Sequence, residues 1–219
     1  MKKLFFVTVS IFLLNFSLSA QDIKFGVVGG ANLSNVDYSF DFPNKKPRIS
    51  YHIGVFTEIP LSPKFNFKPE IVYTSIGYVY KTNASDYEYF RLNPVIPDDY
   101  SFKNIIKYNY LVIPLNIRWN LGEKFCLNFG PQIGFLLNTV YKFKGSSSTP
   151  FEDERTRYSG DFKLDYGATL GVGYKINENL EIGLRYYRGL KNLYDNSFIG
   201  GDTKVYNSVF QLSASYAIF

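Results

Sequence analysis

Residues 162–176 read FKLDYGATLGVGYKI, and an apolar residue occupies every second position from Phe162 to Ile176. The positions between them hold charged residues, one threonine and three glycines. Because successive side chains of a strand point to opposite faces, this alternation predicts a strand with one wholly apolar face. The stretch exceeds the ~5–6 residues of an ordinary strand and meets the ~9–11 residues with which a tilted strand crosses a bilayer.

Similar alternation recurs along the rest of the chain and predicts seven further strands. These are Ile23–Leu33, Ser50–Ile59, Phe65–Tyr80, Tyr108–Leu121, Phe125–Thr139, Leu180–Arg188 and Val205–Phe219. The third is the least regular, because Pro69 lacks an N–H for the sheet and polar and apolar positions mix after Val72. With the first stretch they make eight, an even number as in single-chain bacterial barrels. The predicted fold is all-β, an eight-stranded antiparallel up-and-down transmembrane β-barrel.

The predicted connections alternate between short and long. The short ones are Pro60–Lys64, Gly122–Lys124 and Asn177–Asn179. The long ones are Ser34–Ile49, Lys81–Lys107, Val140–Asp161 and Gly189–Lys204. Outer-membrane barrels have short periplasmic turns and longer extracellular loops, so the alternation predicts both chain ends on the periplasmic side.

The sizes of the residues on the two faces separate a membrane barrel from a soluble lipocalin-like barrel. The interior of an eight-stranded barrel is only wide enough to be filled by side chains, so the bulky apolar faces are expected outside. The glycines of the polar faces are Gly26, Gly30, Gly130, Gly134, Gly167, Gly171, Gly173 and Gly183. The aromatic residues expected at the membrane interfaces are Trp119, Phe125 and Tyr174 on the periplasmic side and Tyr108, Tyr141 and Tyr186 on the outer side.

The N-terminus has the order of a secretory signal peptide. Lys2 and Lys3 precede an apolar run from Leu4 to Leu14, and small and polar residues end at Ala20. The run is shorter than the ~20 residues of a membrane-spanning helix, and no cysteine follows it for lipid anchoring. The sequence therefore predicts a cleavable signal peptide over residues 1–20 and a barrel domain over residues 21–219, exported to the bacterial outer membrane.

Composition excludes several other classes of protein. The formal net charge is +5, but the basic residues form no long stripe of the kind that binds nucleic acid. The single cysteine, Cys126, rules out an internal disulfide framework and is expected to be a small packing residue. His, Cys and carboxylate residues show no metal-site spacing and no phosphate-cradling loop is present, so neither a metal nor a cofactor is predicted.

The polar faces of the predicted strands carry charged residues that would meet in a narrow lumen. They are Lys24, Glu58, Glu70, Arg118, Lys163, Asp165, Glu181 and Arg185. Charges in such a space must pair or stay hydrated, so we expect a structural salt-bridge network that fills the barrel. An ion or proton path is the alternative, although aqueous pores need ~16 strands.

His52, the only histidine, is predicted near the outer end of the second strand with its side chain inward. Ser50 shares its face two residues away, which raises the alternative of an enzyme at the membrane rim. No third partner is signalled, so the sequence predicts that the protein is not an enzyme and that His52 is a hydrogen-bonded structural residue.

Long loops on a rigid barrel are the expected place for recognition. The loop Lys81–Lys107 mixes acidic residues with aromatic ones, and its candidate recognition residues are Tyr87, Tyr89, Phe90, Tyr100 and Phe102. They can contact a partner or fold over the barrel mouth as a lid, and the sequence favours neither.

Several segments resemble the PorT-like outer-membrane β-barrel proteins, often labelled porin family. The segments are Phe25–Ser34 (FGVVGGANLS), Leu111–Ile117 (LVIPLNI), Gly171–Tyr174 (GVGY) and Val209–Ser213 (VFQLS). The resemblance covers essentially the whole mature chain and implies an eight-stranded barrel in an outer membrane of the Bacteroidetes type. The namesake is similar to an accessory of a protein-secretion system, which implies a possible envelope or secretion-system partner.

Three functional hypotheses follow. The leading one is a structural or interaction component of the cell envelope, with a filled lumen and with recognition through the loops or rim. The second is a narrow passive or ion-selective pore, and the third is a lipid-modifying enzyme at the membrane rim. The expected partners are outer-membrane lipid, the barrel-assembly machinery during biogenesis and an envelope protein, with no nucleic acid.

Overall fold

Antiparallel strands make up nearly all of the part of the chain that a computed structural model describes, residues 23–38, 44–83, 101–145, 154–159, 163–193 and 204–218. In chain order they are β1 (Lys24–Tyr38), β2 (Lys45–Pro60), β3 (Phe65–Asn83), β4 (Ser101–Leu121), β5 (Phe125–Gly145), β6 (Glu154–Ser159), β7 (Leu164–Lys175), β8 (Leu180–Gly189) and β9 (Val205–Ala217). The predicted signal peptide lies outside these residues. No helix within the described ranges has the length and hydropathy to cross a membrane.

Eight of the strands close into a ring in the order β1, β2, β3, β4, β5, β7, β8, β9, with β9 pairing back onto β1. Each of these strands pairs on both sides, for example Gly30 with His52 of β2 and with Ser213 of β9. Closure leaves no free sheet edge in the ring, so the backbone groups are paired within the barrel. The predicted eight-stranded up-and-down barrel is confirmed.

The short strand β6 lies outside the ring and corrects one predicted loop. Residues of Val140–Asp161 were expected to be irregular, but β5 continues to Gly145 and β6 pairs with its upper part, Asn138 opposite Ser159 and Phe143 opposite Glu154. From Phe135 towards the short-turn end, the neighbour of β5 is β7 instead of β6, beginning with Leu164 opposite Phe135. The strand pair therefore projects beyond the barrel.

Other strands also extend further towards the long loops than the alternation predicted. β1 reaches Tyr38, β2 begins at Lys45, β3 reaches Asn83 and β4 begins at Ser101. The alternation ends where one face stops being apolar, whereas backbone pairing continues beyond that level, as between Asn83 and Ser101. The short turns occupy the predicted positions between β2 and β3, β4 and β5, and β7 and β8.

The exterior of the ring carries a continuous apolar belt. Along β7 the exposed residues include Leu170, 61% accessible, and Val172, 51% accessible, while Asp165 and Thr169 point inward and are buried. Ring pairs border the belt at the short-turn end, where Phe65 stacks on Trp119 at 6.0 Å between ring centroids. Such a belt with aromatic girdles is the lipid-facing surface of an outer-membrane barrel.

Tyr108 is not part of an outer girdle, contrary to the sequence prediction. It is only 7% accessible and lies inside the barrel, because the inward-facing residues of β4 are the even-numbered ones. Together with Tyr78, Tyr110 and Tyr187 it belongs to the apolar cluster of the lumen, and these four rings lie towards the long-loop end. The outer end of the interior is therefore lined by aromatic side chains.

The irregular pattern of β3 has a structural cause. Beyond Val72 the outward-facing Ser75 is buried, because Arg48 Nη2 donates to its Oγ at 3.1 Å and Arg48 Nη1 donates to the Ile76 carbonyl at 3.1 Å. The pairing of β2 with β3 also shifts register between Pro47 and His52. The Arg48 guanidinium thus covers Ser75, a polar residue on the face of β3 that otherwise points to lipid.

Candidate functional site

One ion pair crosses the full width of the lumen. Arg185 donates to both carboxylate oxygens of Glu70, at 2.9 Å from Nη1 and 2.5 Å from Nη2. Glu70 lies on β3 and Arg185 on β8, which are four positions apart in the eight-membered ring and so face each other across it. The Glu70 side chain is completely buried. A bidentate pair of this kind fixes both geometry and charge at the centre of the barrel.

A second cluster of charges lies closer to the short-turn end. Arg118 Nη2 is 2.5 Å from Glu181 Oε2, and Arg118 Nη1 donates to Glu58 Oε2 at 3.1 Å. Lys68 Nζ approaches Glu181 Oε1 at 3.6 Å and lies over the ring of Phe56, 4.4 Å from its centroid. These contacts join β2, β3, β4 and β8 through side chains.

Five of the eight residues predicted to line the lumen come together in these ion pairs: Glu58, Glu70, Arg118, Glu181 and Arg185. Lys24 and Lys163 are exposed at opposite ends of the barrel and lie outside the pairs described here. Lys68 was missed, although it shares the face of Glu70 two residues away; the irregular third strand obscured it.

Asp165, the eighth predicted residue, is buried apart from the ion pairs. Its Oδ2 accepts hydrogen bonds from the Tyr187 hydroxyl at 3.0 Å and from Asn207 Nδ2 at 2.8 Å. Its Oδ1 has no hydrogen-bond partner. An ionised carboxylate held only by neutral donors is poorly compensated for its lost hydration.

We expect the Asp165→Asn substitution to raise the free energy of unfolding by about 1 kcal/mol at neutral pH, because the amide oxygen keeps both hydrogen bonds without a buried charge. Equilibrium denaturation of the refolded protein in lipid vesicles measures the change. Asp165→Ala serves as the control, since it leaves Tyr187 and Asn207 without their acceptor and should destabilise. Destabilisation by the asparagine to the same extent would contradict the expectation.

His52 is inward and buried, as predicted, but it lies in the middle of β2 instead of at its outer end, because β2 begins at Lys45. Its Nδ1 lies 2.7 Å from Asn32 Oδ1, and its Nε2 lies 2.9 Å from Ser213 Oγ. Gln211 Nε2 donates to the same Asn32 oxygen at 3.1 Å. Ser50, the partner considered from the sequence, is not bonded to His52, and its hydroxyl has no hydrogen-bond partner.

Cys126 is 1% accessible and sits beside the second charge cluster. Its Sγ lies 3.7 Å from Glu181 Oε2 and 3.5 Å from Asn128 Nδ2. Among the described residues no group of three or more His, Cys, Asp and Glu side chains is placed to hold a metal ion.

Of the predicted recognition residues, Tyr87, Tyr89, Phe90 and Tyr100 lie outside the described residues. Phe102 lies on the outward extension of β4, and its ring stacks on Phe143 of β5 at 5.6 Å between centroids. It is therefore held by a strand and not by a loop.

Cavities next to the charged residues are small. One of about 40 Å³ opens at the short-turn mouth between Lys24, Lys68 and Glu181. Another, beside Asp165 and Gln211, holds about 10 Å³. A single water needs roughly 10–15 Å³, so the second space admits no more than one. A larger cavity of about 170 Å³ lies at the long-loop end, next to Tyr110 and Lys191.

Comparison with known proteins agrees with the fold. The family described as outer membrane protein beta-barrel domain matches residues 19–195. No curated protein matches the sequence. Solved structures of similar fold include Ail, the attachment invasion locus protein of Yersinia pestis, at 12% identity and a TM-score of 0.49, covering 90% of this chain and 99% of that one. Neisserial surface protein A is 11% identical with a TM-score of 0.40, covering 88% and 96%. The outer membrane protease OmpT of Escherichia coli is 11% identical with a TM-score of 0.38, covering 90% and 95%.

Proposed function

Since the chain belongs to the outer membrane protein beta-barrel domain family and lies in the bacterial outer membrane, we propose that it is a closed, non-conducting barrel that serves as a structural or interaction component of the envelope. The observation that carries this proposal is the Glu70–Arg185 pair, which joins opposite walls of the lumen. An open channel would need both residues to separate, and each would then be a buried charge without its partner.

The rest of the interior supports a closed barrel. Tyr78, Tyr108 and Tyr187 narrow the lumen on the outer side of the ion pair, where a cavity of about 170 Å³ remains, and Lys68, Arg118 and Glu181 occupy it on the other side. Eight strands enclose a space that side chains alone can fill. The ion pair across the lumen and the charge cluster beside it argue against the pore hypothesis.

Several observations argue against an enzyme. Ser213, His52 and Asn32 have the order of a nucleophile, a base and an orienting group, which is the arrangement of a hydrolase triad. However, the three residues are 8%, 4% and 1% accessible inside the lumen, and the cavity described beside the neighbouring Gln211 admits one water. We infer that they are structural, because all three side chains are buried inside the lumen.

The interaction role rests on the strands that project beyond the belt. β3, β4, β5 and β6 stay paired well above the level where β7 leaves β5, which gives a rigid support for recognition by the connecting segments. The resemblance to PorT-like proteins suggests a protein of the envelope or of a secretion system as the partner. The barrel-assembly machinery is the partner proposed for biogenesis.

Planar-bilayer recording of the refolded full chain tests the closed lumen. We expect no single-channel steps from protein whose folding is verified by its altered migration in an unheated gel, while a general porin in the same bilayers gives steps. Reproducible unitary steps that scale with protein concentration would refute the proposal and favour the pore. The Glu70→Ala/Arg185→Ala variant shows whether removing the crossing pair opens a path, which would assign the closure to these two residues.

A further inference from the structure

One sector of the barrel's outer rim is strongly basic. We define the cationic rim as Arg48, Lys107, Lys142, Arg155 and Arg157, which belong to β2, β4, β5 and β6. Lys107 lies within electrostatic range of Arg48, Lys142 and Arg155, and Tyr73 lies within range of Arg48 and Arg157. The five cations thus form one group that spans the sheet from β2 to β6, with β3 between β2 and β4.

Four members of the cationic rim face outward and not into the lumen, and the fifth, Arg48, pairs with the inward-facing Ser34 but reaches the outward-facing Ser75 with its guanidinium. On β4 the buried inward residues are even-numbered, from Ile106 to Arg118, so Lys107 shares its side with the apolar belt residue Leu111. Val140 pairs with both Lys107 and Arg157, and Lys142 pairs with Arg155. These pairings place the β5 and β6 members on the same outer side, because paired residues of adjacent strands point the same way.

The position along the strands puts the cationic rim at the membrane surface. Lys107 is twelve residues beyond Trp119 of the short-turn girdle, towards the long loops. A strand tilted by ~45° with a rise of ~3.3 Å per residue advances about 2.3 Å per residue along the membrane normal, so Lys107 lies about 28 Å above Trp119. The apolar band of an outer-membrane barrel is only ~25 Å tall, so this height is that of the outer headgroup layer.

The described residues offer these cations no carboxylate on their own side. Glu154 of β6 pairs with Phe143 and so lies on the face opposite to Arg155 and Arg157. Lys142 and Arg155 are direct cross-strand partners with the same charge, which destabilises a strand pair. On the other half of the rim, in contrast, Arg188 pairs with Asp37.

We propose that the cationic rim binds the phosphate groups of the phosphorylated glycolipid that forms the outer leaflet of this membrane. Lys107, Lys142, Arg155 and Arg157 share an exterior position and match a multiply charged anion, and arginine forks suit phosphate oxygens. The hydrogen bonds of Arg48 to Ser75 and Ile76 hold one of these groups in place beforehand. The position at headgroup depth favours a lipid of the outer leaflet as the occupant, since lipid surrounds the barrel there. The inference goes beyond the proposed interaction role and does not depend on it.

Native mass spectrometry of the refolded full chain in detergent micelles tests the proposal with lipid A as the probe. We expect lipid A with two phosphates to stay bound and dephosphorylated lipid A to bind about 10-fold more weakly or worse. The Lys107→Gln/Lys142→Gln/Arg157→Gln variant should lose about 100-fold in affinity, given the usual contribution of a basic residue near an anionic headgroup. Lys24→Gln/Lys64→Gln/Lys124→Gln, which removes the same charge at the opposite rim, is the matched control and should bind as the native chain does.

Equal binding of phosphorylated and dephosphorylated lipid A by the native chain would overturn the proposal, and this comparison stands even where the triple variant fails to fold. Equal losses of affinity for lipid A in the two triple variants would also overturn the proposal, since they would show that total charge and not position determines binding. Tighter binding of a soluble polyanion, such as a sulfated oligosaccharide, than of lipid A would assign the cationic rim to an extracellular ligand and refute the lipid site.

Discussion

The Glu70→Gln substitution is expected to lower the free energy of unfolding by about 3–5 kcal/mol, measured by equilibrium denaturation of the refolded protein in lipid vesicles. The glutamine keeps the shape of the side chain but removes the negative charge that faces Arg185 across the lumen. The Arg185 guanidinium is then a cation in a closed interior with no carboxylate in contact. Removing one partner of a buried pair costs far more than the pair itself contributes.

Two controls separate this effect from a general loss of charge. Asp37→Asn breaks the Asp37–Arg188 pair, whose side chains are 44% and 38% accessible, and should cost less than ~1 kcal/mol. The Glu70→Met/Arg185→Met double variant removes both charges and should recover most of the lost stability, because an apolar replacement of similar volume is tolerated. A double variant as unstable as Glu70→Gln would show that packing and not charge dominates.

The Gly30→Ala substitution is expected to have an effect of similar size, at least about 3 kcal/mol or a failure to refold, scored by the fraction of heat-modifiable protein in an unheated gel. A Cβ at this position would lie 1.9 Å from the Leu212 carbonyl oxygen and 2.8 Å from the Ser213 Cα. Both contacts are with the backbone of β9, so no side-chain rotation relieves them. The seam between β1 and β9 would have to open or shift.

Gly183→Ala is the matched control, because Gly183 also lies on a ring strand and its added Cβ would meet only the Val172 carbonyl oxygen, at 3.5 Å. Ordinary contact at that distance predicts a change within ~1 kcal/mol, and alanine also reduces the conformational freedom of the unfolded chain. If the two alanine variants refold equally well, close strand approach is not the reason for glycine at position 30.

The barrel could be predicted from the sequence because one physical requirement shaped most of it. Where lipid lies on one side and a crowded lumen on the other, every second residue must be apolar, and residues 162–176 follow that rule throughout. The glycines of the polar face identified the inside for the same reason: Gly26, Gly30 and Gly130 have neighbouring backbone where a Cβ would be. The even strand count and the short turns followed from the same pattern.

The outer extensions could not be predicted, since nothing forces alternation above the membrane. β6 reads ERTRYS, with no apolar face, and forms because β5 offers it a backbone edge. The prediction that Tyr108 lies in the outer aromatic girdle was wrong, because aromatic residues occur both in membrane girdles and in the lumen of a barrel. Only the register of β4 shows that Tyr108 points into the lumen. Register shifts such as the one at Asn109 and Tyr110 also escape a count of alternating residues.

The membership of the lumen cluster was partly predictable, but its pairing was not. Glu70, Arg118, Glu181 and Arg185 were recognised as inward-facing charges by their phase on the strands. Which of them meet depends on the closed ring, since Glu70 and Arg185 are 115 residues apart in sequence. The cationic rim escaped prediction because Lys142, Arg155 and Arg157 fall in a segment that was taken for a loop.

The seam between β1 and β9 has a consequence for how the protein enters the membrane. They are the first and the last of the described strands, so the ring cannot close until β9 has been inserted beside β1. Before that moment Glu70 and Arg185 stand apart, and lipid is an unfavourable surrounding for either charge alone. A half-inserted sheet is therefore an unstable intermediate, and we expect insertion and cyclisation to occur as one cooperative step. Non-local pairing of this kind also makes unaided folding slow, which favours a catalysed route into the membrane.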